Sequence, residues 1–229
     1  MTHRKYGAEP WQAIVLHGGP GAPGCAAGLC RGLEGQYGII EHLQKARSTE
    51  GLTEEIRMLM DECELRKTTL IGHSFGAWLA LLFAWKYPER VSRVILIGCG
   101  PLEQKYLPEI IRTREERKQA GVDTDNFCPL PGSGGDMLYF DEGQHHALMK
   151  EVMSLRESGE LLNRAKAVEC PITAFHGIYD PHPVDGIREP MRGQENFSLI
   201  ELEQCGHDPW KEKWAREIFF EKLCGEICK

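Results

Sequence analysis

The sequence predicts an α/β fold: a mostly parallel sheet of about six strands, helices on both faces and a small helical cap. Two observations carry that expectation. Short β-rich runs alternate with helical patterns over most of the 229 residues. Two glycine-rich turns, at 17–24 and 72–76, each stand directly after an apolar run.

The first expected strand is 12–16 (QAIVL), closed by His17-Gly18-Gly19-Pro20-Gly21, and the second is 37–41. A helix follows, with Leu52, Ile56, Leu59 and Met60 on one face and Glu54 and Glu55 in its first turn, where the helix dipole favours acids. The third strand, 68–71, runs through Gly72-His73-Ser74-Phe75-Gly76 into the nearly all-apolar AWLALLFAW of 77–85, the pattern of a helix packed directly beneath a sheet. A fourth strand is expected at 91–97.

The rhythm then breaks between 97 and 172. This stretch offers a charged helix (109–120), a Pro- and Gly-rich loop (126–136) and an amphipathic helix with Leu148, Val152 and Leu155 on one face. Residues 101–165 hold 12 acidic and 8 basic side chains, so they carry −4 of the net −7. We read 101–165 as a small helical cap inserted in a single domain of 1–229. Strands at 172–175 and 197–201 restore the alternation. A last helix is expected with Asp208 as N-cap, Pro209 at N1, and Trp214, Ile218 and Phe219 facing inward.

Composition narrows the function classes. The chain is 41% apolar and 27% charged, with no low-complexity tract. A net charge of −7 and the lack of any Lys/Arg-rich run give no electrostatic reason to expect nucleic acid. The N-terminal MTHRKYGAEP is polar and the apolar run after it is short, so neither a secretory signal nor a membrane span is expected, and the cytoplasm is the expected compartment. The nine cysteines are scattered and contain no C-x-x-C pair, which fits reduced thiols. Cys224 and Cys228 lie four apart on an expected helix with no second ligand pair nearby, so no metal is expected.

The turn after the first strand admits two readings. Residues 19–24 (GPGAPG) spell G-x-G-x-x-G, and Glu41 follows at about the distance of a ribose-binding acid, roughly 20 positions on. Counted from His17 the same turn is H-G-G-P-G, a loop whose glycines let backbone N–H groups approach a substrate oxygen. Pro20 and Pro23 would sit in the phosphate-facing turn and have no N–H to offer, which disfavours the nucleotide reading. The second turn weighs further. Gly72-His73-Ser74-Phe75-Gly76 is G-x-S-x-G between a β run and a helical run, where a nucleophile sits on a strained backbone and the flanking glycines relieve crowding.

A serine hydroxyl needs a base, and the base needs an orienting group. Asp180 lies just past the strand at 172–175 and His207 just past the strand at 197–201, so Ser74, Asp180 and His207 fall in a workable order beyond strand carboxyl ends. Asp185 is an alternative acid, farther along the same loop. Asp208 suits a helix cap, and His73 should leave the turn away from the site. His145, His146, His176 and His182 lack metal-ligand spacing, and surface or core roles are expected for them.

These motifs together resemble the α/β-hydrolase superfamily, and the HGGPG loop resembles its proline iminopeptidase-like branch. The resemblance runs from Trp11 to Trp214 and includes AWKYPERVSRVILIG after the serine turn. It implies Ser74 as nucleophile, Asp180 as acid, His207 as base, and the backbone N–H groups of Gly19 and Phe75 as oxyanion donors. Gly18, Gly72 and Gly76 are then turn glycines, and no cofactor is required. The chain departs from the branch in three places. Two early strands are missing before the loop, the cap is small, and HLQKARSTEG stands where a Gly-rich, acidic-led motif is usual. The implied reaction is hydrolysis of a small-molecule ester, thioester or amide through an acyl-serine. A small-molecule receptor on the same fold, or carbon–carbon hydrolase or perhydrolase chemistry, are the alternatives. A trimmed sheet would also leave an open edge, the surface on which a homodimer contact would form.

Overall fold

Apolar residues on both sides of a strand require cover on both sides, and residues 13–16 set the pattern. Ala13 and Val15 face one core, and Ile14 and Leu16 face the other. The computed structural model describes residues 2–132 and 136–229; residues 133–135 of the Pro- and Gly-rich segment lie outside the described residues.

Seven strands form one sheet: β1 (His3–Tyr6), β2 (Trp11–Leu16), β3 (Gly38–His42), β4 (Thr68–His73), β5 (Val91–Ile97), β6 (Ile172–Gly177) and β7 (Phe197–Leu202), in the order β1-β3-β2-β4-β5-β6-β7. All neighbours pair parallel except β1, which runs antiparallel to β3. The β1 strand corrects the expected six. Its HRKY sequence has no apolar run, and pairing with the edge of β3, His3 opposite His42 through Tyr6 opposite Ile39, makes it a strand. Its charged side chains also suit an edge, because they discourage further pairing.

The helices between the strands are α1 (Ala27–Leu33), α2 (Thr49–Glu62), α3 (Phe75–Lys86), α4 (Leu107–Ala120), α5 (Glu142–Glu157), α6 (Glu160–Lys166), the short α7 (Asp185–Arg188) and α8 (Arg216–Ile227). Helices α2, α3, α5 and α6 cover one face, with Leu52, Ile56, Phe83, Leu148, Val152 and Leu161 in its core. Helices α1 and α8 cover the other, with Leu29, Leu33, Phe219 and Leu223. Helix α3 is buried continuously from Phe75 to Ala84, which explains its apolar sequence.

Two helix starts differ from expectation. Helix α2 begins at Thr49 behind Ser48, whose hydroxyl accepts from the Gly51 amide at 3.1 Å, so Glu50 is its first-turn acid. Glu54 and Glu55 lie deeper: Glu54 pairs with Arg57, and Glu55 accepts from the amides of Lys45 and Ala46. Helix α8 starts at Arg216 rather than near Pro209, which opens only a 3₁₀ turn (Pro209–Lys211). The buried Glu212 holds an extended backbone there, accepting from the amides of Phe127, Cys128 and Gly206. Trp214 and Ile218 therefore point outward, 55% and 41% exposed, while Phe219 is buried.

The sheet order places the turn after β2 beside the turn after β4. From β2 the chain moves outward to β3, then crosses back to β4 on the other side of β2. Such a reversal opens a crevice at the strand carboxyl ends, where α/β sheets bind ligands.

Candidate active site

Ser74 stands at the tip between β4 and α3 with φ 54° and ψ −117°, a left-handed conformation that side chains rarely adopt. Its amide is tied to the Ile97 carbonyl at 2.9 Å. The turn closes only because its neighbours lack side chains. A Cβ on Gly72 would overlap the Gly76 carbonyl, and one on Gly76 would overlap the Leu16 carbonyl at the end of β2. Gly18 faces the same point from the other turn, where a Cβ would lie 2.7 Å from that of Ser74.

His207 sits in the loop after β7 and Asp180 in the loop after β6. The imidazole Nδ1 of His207 donates to Asp180 Oδ2 at 2.8 Å, and the carboxylate is fully buried. Burial works to raise the Asp180 carboxyl, but the His207 charge and the hydrogen bonds from His182 and His207 override it and hold it well below the carboxylate range. Burial likewise works to lower His207, and the Asp180 charge outweighs it, pushing the imidazole up to about 9. Ser74 and His207 line one cavity of about 480 Å³ with Gly19, Arg114, Asp208 and residues 123–126. Among the described residues neither Ser74 Oγ nor His207 Nε2 has a hydrogen-bond partner. Such contacts often tighten only once substrate is bound.

The H-G-G-P-G turn follows β2. Gly19 adopts φ 50°, and among the described residues the amides of Gly19 and Phe75 have no backbone acceptor. The carbonyl that shares a peptide plane with the Gly19 amide is that of Gly18, and it accepts from His17 Nδ1 at 2.9 Å. His17 is buried, and burial pushes its imidazole down to about 4, so it stays neutral. Gln44 Nε2 donates to the His17 carbonyl at 3.0 Å, giving the departing HLQKARSTEG segment a structural purpose.

Part of the insert closes on this site. The Asp125 carbonyl accepts the His207 amide at 2.8 Å, and Asn126 exchanges two hydrogen bonds with Asp208, at 3.1 and 3.2 Å. Arg114 on α4 donates to Asp125 at 2.6 and 3.0 Å. On the opposite side the amides of Leu138 and Asp141 donate to the carbonyls of Pro23 and Gly21, and His145 Nδ1 contacts that of Pro20 at 2.9 Å.

The rival residues are engaged in other contacts. Asp185 is half-exposed on α7 and pairs with Arg188 at 2.6 Å. Asp208 pairs with Lys211 at 3.1 Å and lies 3.4 Å from His73 Nε2, while the His207 Nδ1 bond is made to Asp180. Burial and the His207 charge push His73 down to about 3, and it braces the His207 carbonyl at 3.2 Å. Glu41 is buried on β3 under the Tyr6 hydroxyl, 2.8 Å away. His182, for which an ordinary surface or core role is expected from sequence, instead has its Nδ1 2.7 Å from Asp180 Oδ1. Its position two residues after the acid was the available signal. The Glu212 clamp had no sequence signal, since its three donors come from residues 127, 128 and 206. Asp180, His182 and His207 form a group whose potential metal-ligand atoms lie within 4.8 Å of one another. Their hydrogen bonds to the shared carboxylate account for that closeness.

The sheet order, the serine turn and the two loops define the α/β-hydrolase fold. Residues 47–125 match the family model described as alpha/beta hydrolase fold. The chain is similar to the 2-hydroxy-6-oxo-6-phenylhexa-2,4-dienoate hydrolase of Comamonas testosteroni, 26% identical over 161 residues that make up 61% of this chain and 47% of that protein. The chain thus spans less than half the length of the curated relatives it matches first. Among solved structures it resembles E-2-(acetamidomethylene)succinate hydrolase, with a TM-score of 0.74, 16% identity, and 99% and 94% of the two chains covered. It also resembles the monoacylglycerol lipase of Paleococcus ferrophilus, with a TM-score of 0.71, 16% identity, and 98% and 97% covered. Hydrolases thus recur among its relatives and structural neighbours. The proline iminopeptidase-like branch is not among the relatives named here. Among the described residues no helix is long and apolar enough to cross a membrane.

Proposed function

We propose that this protein is a serine hydrolase that cleaves an ester, thioester or amide of a small molecule through an acyl-serine intermediate. The reading rests on one observation: Ser74, in its left-handed turn, shares a cavity with His207, whose Nδ1 is held 2.8 Å from a buried carboxylate. In this reading Ser74 Oγ attacks the substrate carbonyl while His207 Nε2 takes its proton. Asp180 keeps the imidazole in the tautomer that leaves Nε2 free and steadies the imidazolium that forms. The amides of Gly19 and Phe75 meet the developing oxyanion, each contributing about 3–4 kcal/mol to the transition state. His207 then protonates the leaving group, and water releases the acyl chain.

The lining of Arg114, Asp123, Asp125, Asn126 and Asp208 supports a polar substrate over a long unsubstituted acyl chain. A second reading draws on the likeness to a dienoate hydrolase: the same residues acting on a carbon–carbon bond next to a ketone. Product analysis on matched ester and diketone substrates separates the two.

The test is covalent labelling. A fluorophosphonate should add once to the wild-type protein and not at all to Ser74→Ala, read by intact mass, with ester turnover falling in parallel. A folded Ser74→Ala protein that still labels or turns over at the wild-type rate would sink the assignment.

A further inference from the structure

Asp180 is shared by two histidines. Its Oδ2 takes the Nδ1–H of His207 at 2.8 Å, and its Oδ1 takes both the Nδ1–H of His182 at 2.7 Å and the His182 backbone N–H at 2.9 Å. The two rings lie 4.8 Å apart, tilted by 43°. His182 stands between Pro181 and Pro183, whose fixed φ angles restrict the loop, so its ring reaches Oδ1 at small entropic cost. Its carbonyl is held as well, by His176 Nε2 at 2.8 Å. The carboxylate has no other side-chain donor among the described residues.

We propose that His182 is a positioning residue of this site: by engaging Oδ1 of Asp180 it fixes the plane of the carboxylate and limits the negative charge that Oδ2 presents to His207. This deepens the serine-hydrolase reading and rests on it. A carboxylate whose charge is shared between two donors stabilises each imidazolium less than one devoted to a single partner. His182 thus makes His207 a weaker base than Asp180 alone would make it. Burial lowers His182 and disfavours its charged form, consistent with a neutral ring donating from Nδ1. The titratable and charged groups around it are Asp180, His207, His176 and, from α4, Arg114.

The proposal separates two substitutions of similar size. His182→Asn keeps an N–H near the position of Nδ1, whereas His182→Gln places its amide nearer that of Nε2 and loses the bond to Oδ1. The His207 ring is followed by ¹⁵N NMR across pH in the wild type and both variants, alongside the pH dependence of ester turnover. In His182→Gln the His207 titration should move up by about 0.5 unit, which lowers the neutral fraction, and turnover on the acid limb, roughly threefold. Its plateau kcat should fall about tenfold with KM nearly unchanged, because the carboxylate plane is no longer fixed. His182→Asn should restore most of both.

The inference is overturned if His207 titrates alike in the wild type and His182→Gln, or if Asn and Gln behave identically. The NMR titration reads the pair without turnover. A His207 shift in His182→Gln, in a protein whose wild type shows no Ser74-dependent hydrolysis, would therefore refute the hydrolase reading and leave the coupling standing.

Discussion

Glu212→Ala tests how the candidate active site is held together. Glu212 is fully buried, and its two carboxylate oxygens accept three backbone amides at 2.7 Å: Gly206 and Phe127 on Oε1, Cys128 on Oε2. These amides belong to two separate stretches, the loop that carries His207 and the insert segment whose Asp125 carbonyl accepts the His207 amide. Truncation strands all three donors. The Gly206 amide is buried and bears the full penalty of an unsatisfied donor, about 1–3 kcal/mol. The bonds to Phe127 and Cys128 are only partly buried, so water can replace them and each contributes at the low end of that range. The sum is about 3–5 kcal/mol, a large share of the 5–15 kcal/mol that holds an ordinary domain together. Urea unfolding followed by tryptophan fluorescence reads it directly. Glu212→Gln keeps an oxygen for Gly206 and Phe127 and loses only Cys128, so it should cost half as much or less. Because Gly206 precedes His207, the Ala variant should also lose about tenfold or more in kcat at temperatures where it remains folded. An Ala variant within about 0.5 kcal/mol of wild type would refute the clamp.

Two further predictions follow from the same geometry. His207 is raised to about 9 by Asp180, so the neutral base needed for turnover accumulates as pH rises toward that value, and kcat/KM should climb from neutral pH upward. Stability moves the other way: the His207 contribution is complete below its unfolded pKa of about 6.5 and is lost as pH passes about 9, while the depressed Asp180 contributes above about 3.9 and is lost in stronger acid. Paired pH–rate and pH–melting profiles check both signs, and parallel curves would contradict the pairing. Gly76→Ala should destabilise by about 3 kcal/mol or more, because its Cβ meets the Leu16 and His17 carbonyls of a backbone that cannot retreat. Gly225→Ala, in the last turn of α8 with open space around it, should instead add about 0.5 kcal/mol, and urea midpoints of the two variants compare them.

The sequence by itself determined the alternation of strands and helices and the two glycine turns at the ends of β2 and β4, because those features are written in local periodicity and in positions where a side chain cannot fit. It also supplied Ser74, Asp180 and His207 as candidates, since each lies just beyond a run of β-forming residues. Tertiary structure decided the rest. The strand β1 exists because β3 offers it an edge, not because HRKY is a strand by propensity. Trp214 and Ile218 turned outward because Glu212 spends its carboxylate on amides up to 85 residues away and holds the chain extended before α8. His182 gained its role from a carboxylate with two free oxygens and a loop short enough to use both. Local patterns report what a segment prefers; a hydrogen bond between distant residues is made only when folding brings its donor and acceptor together, and the refinements of this site are bonds of that kind.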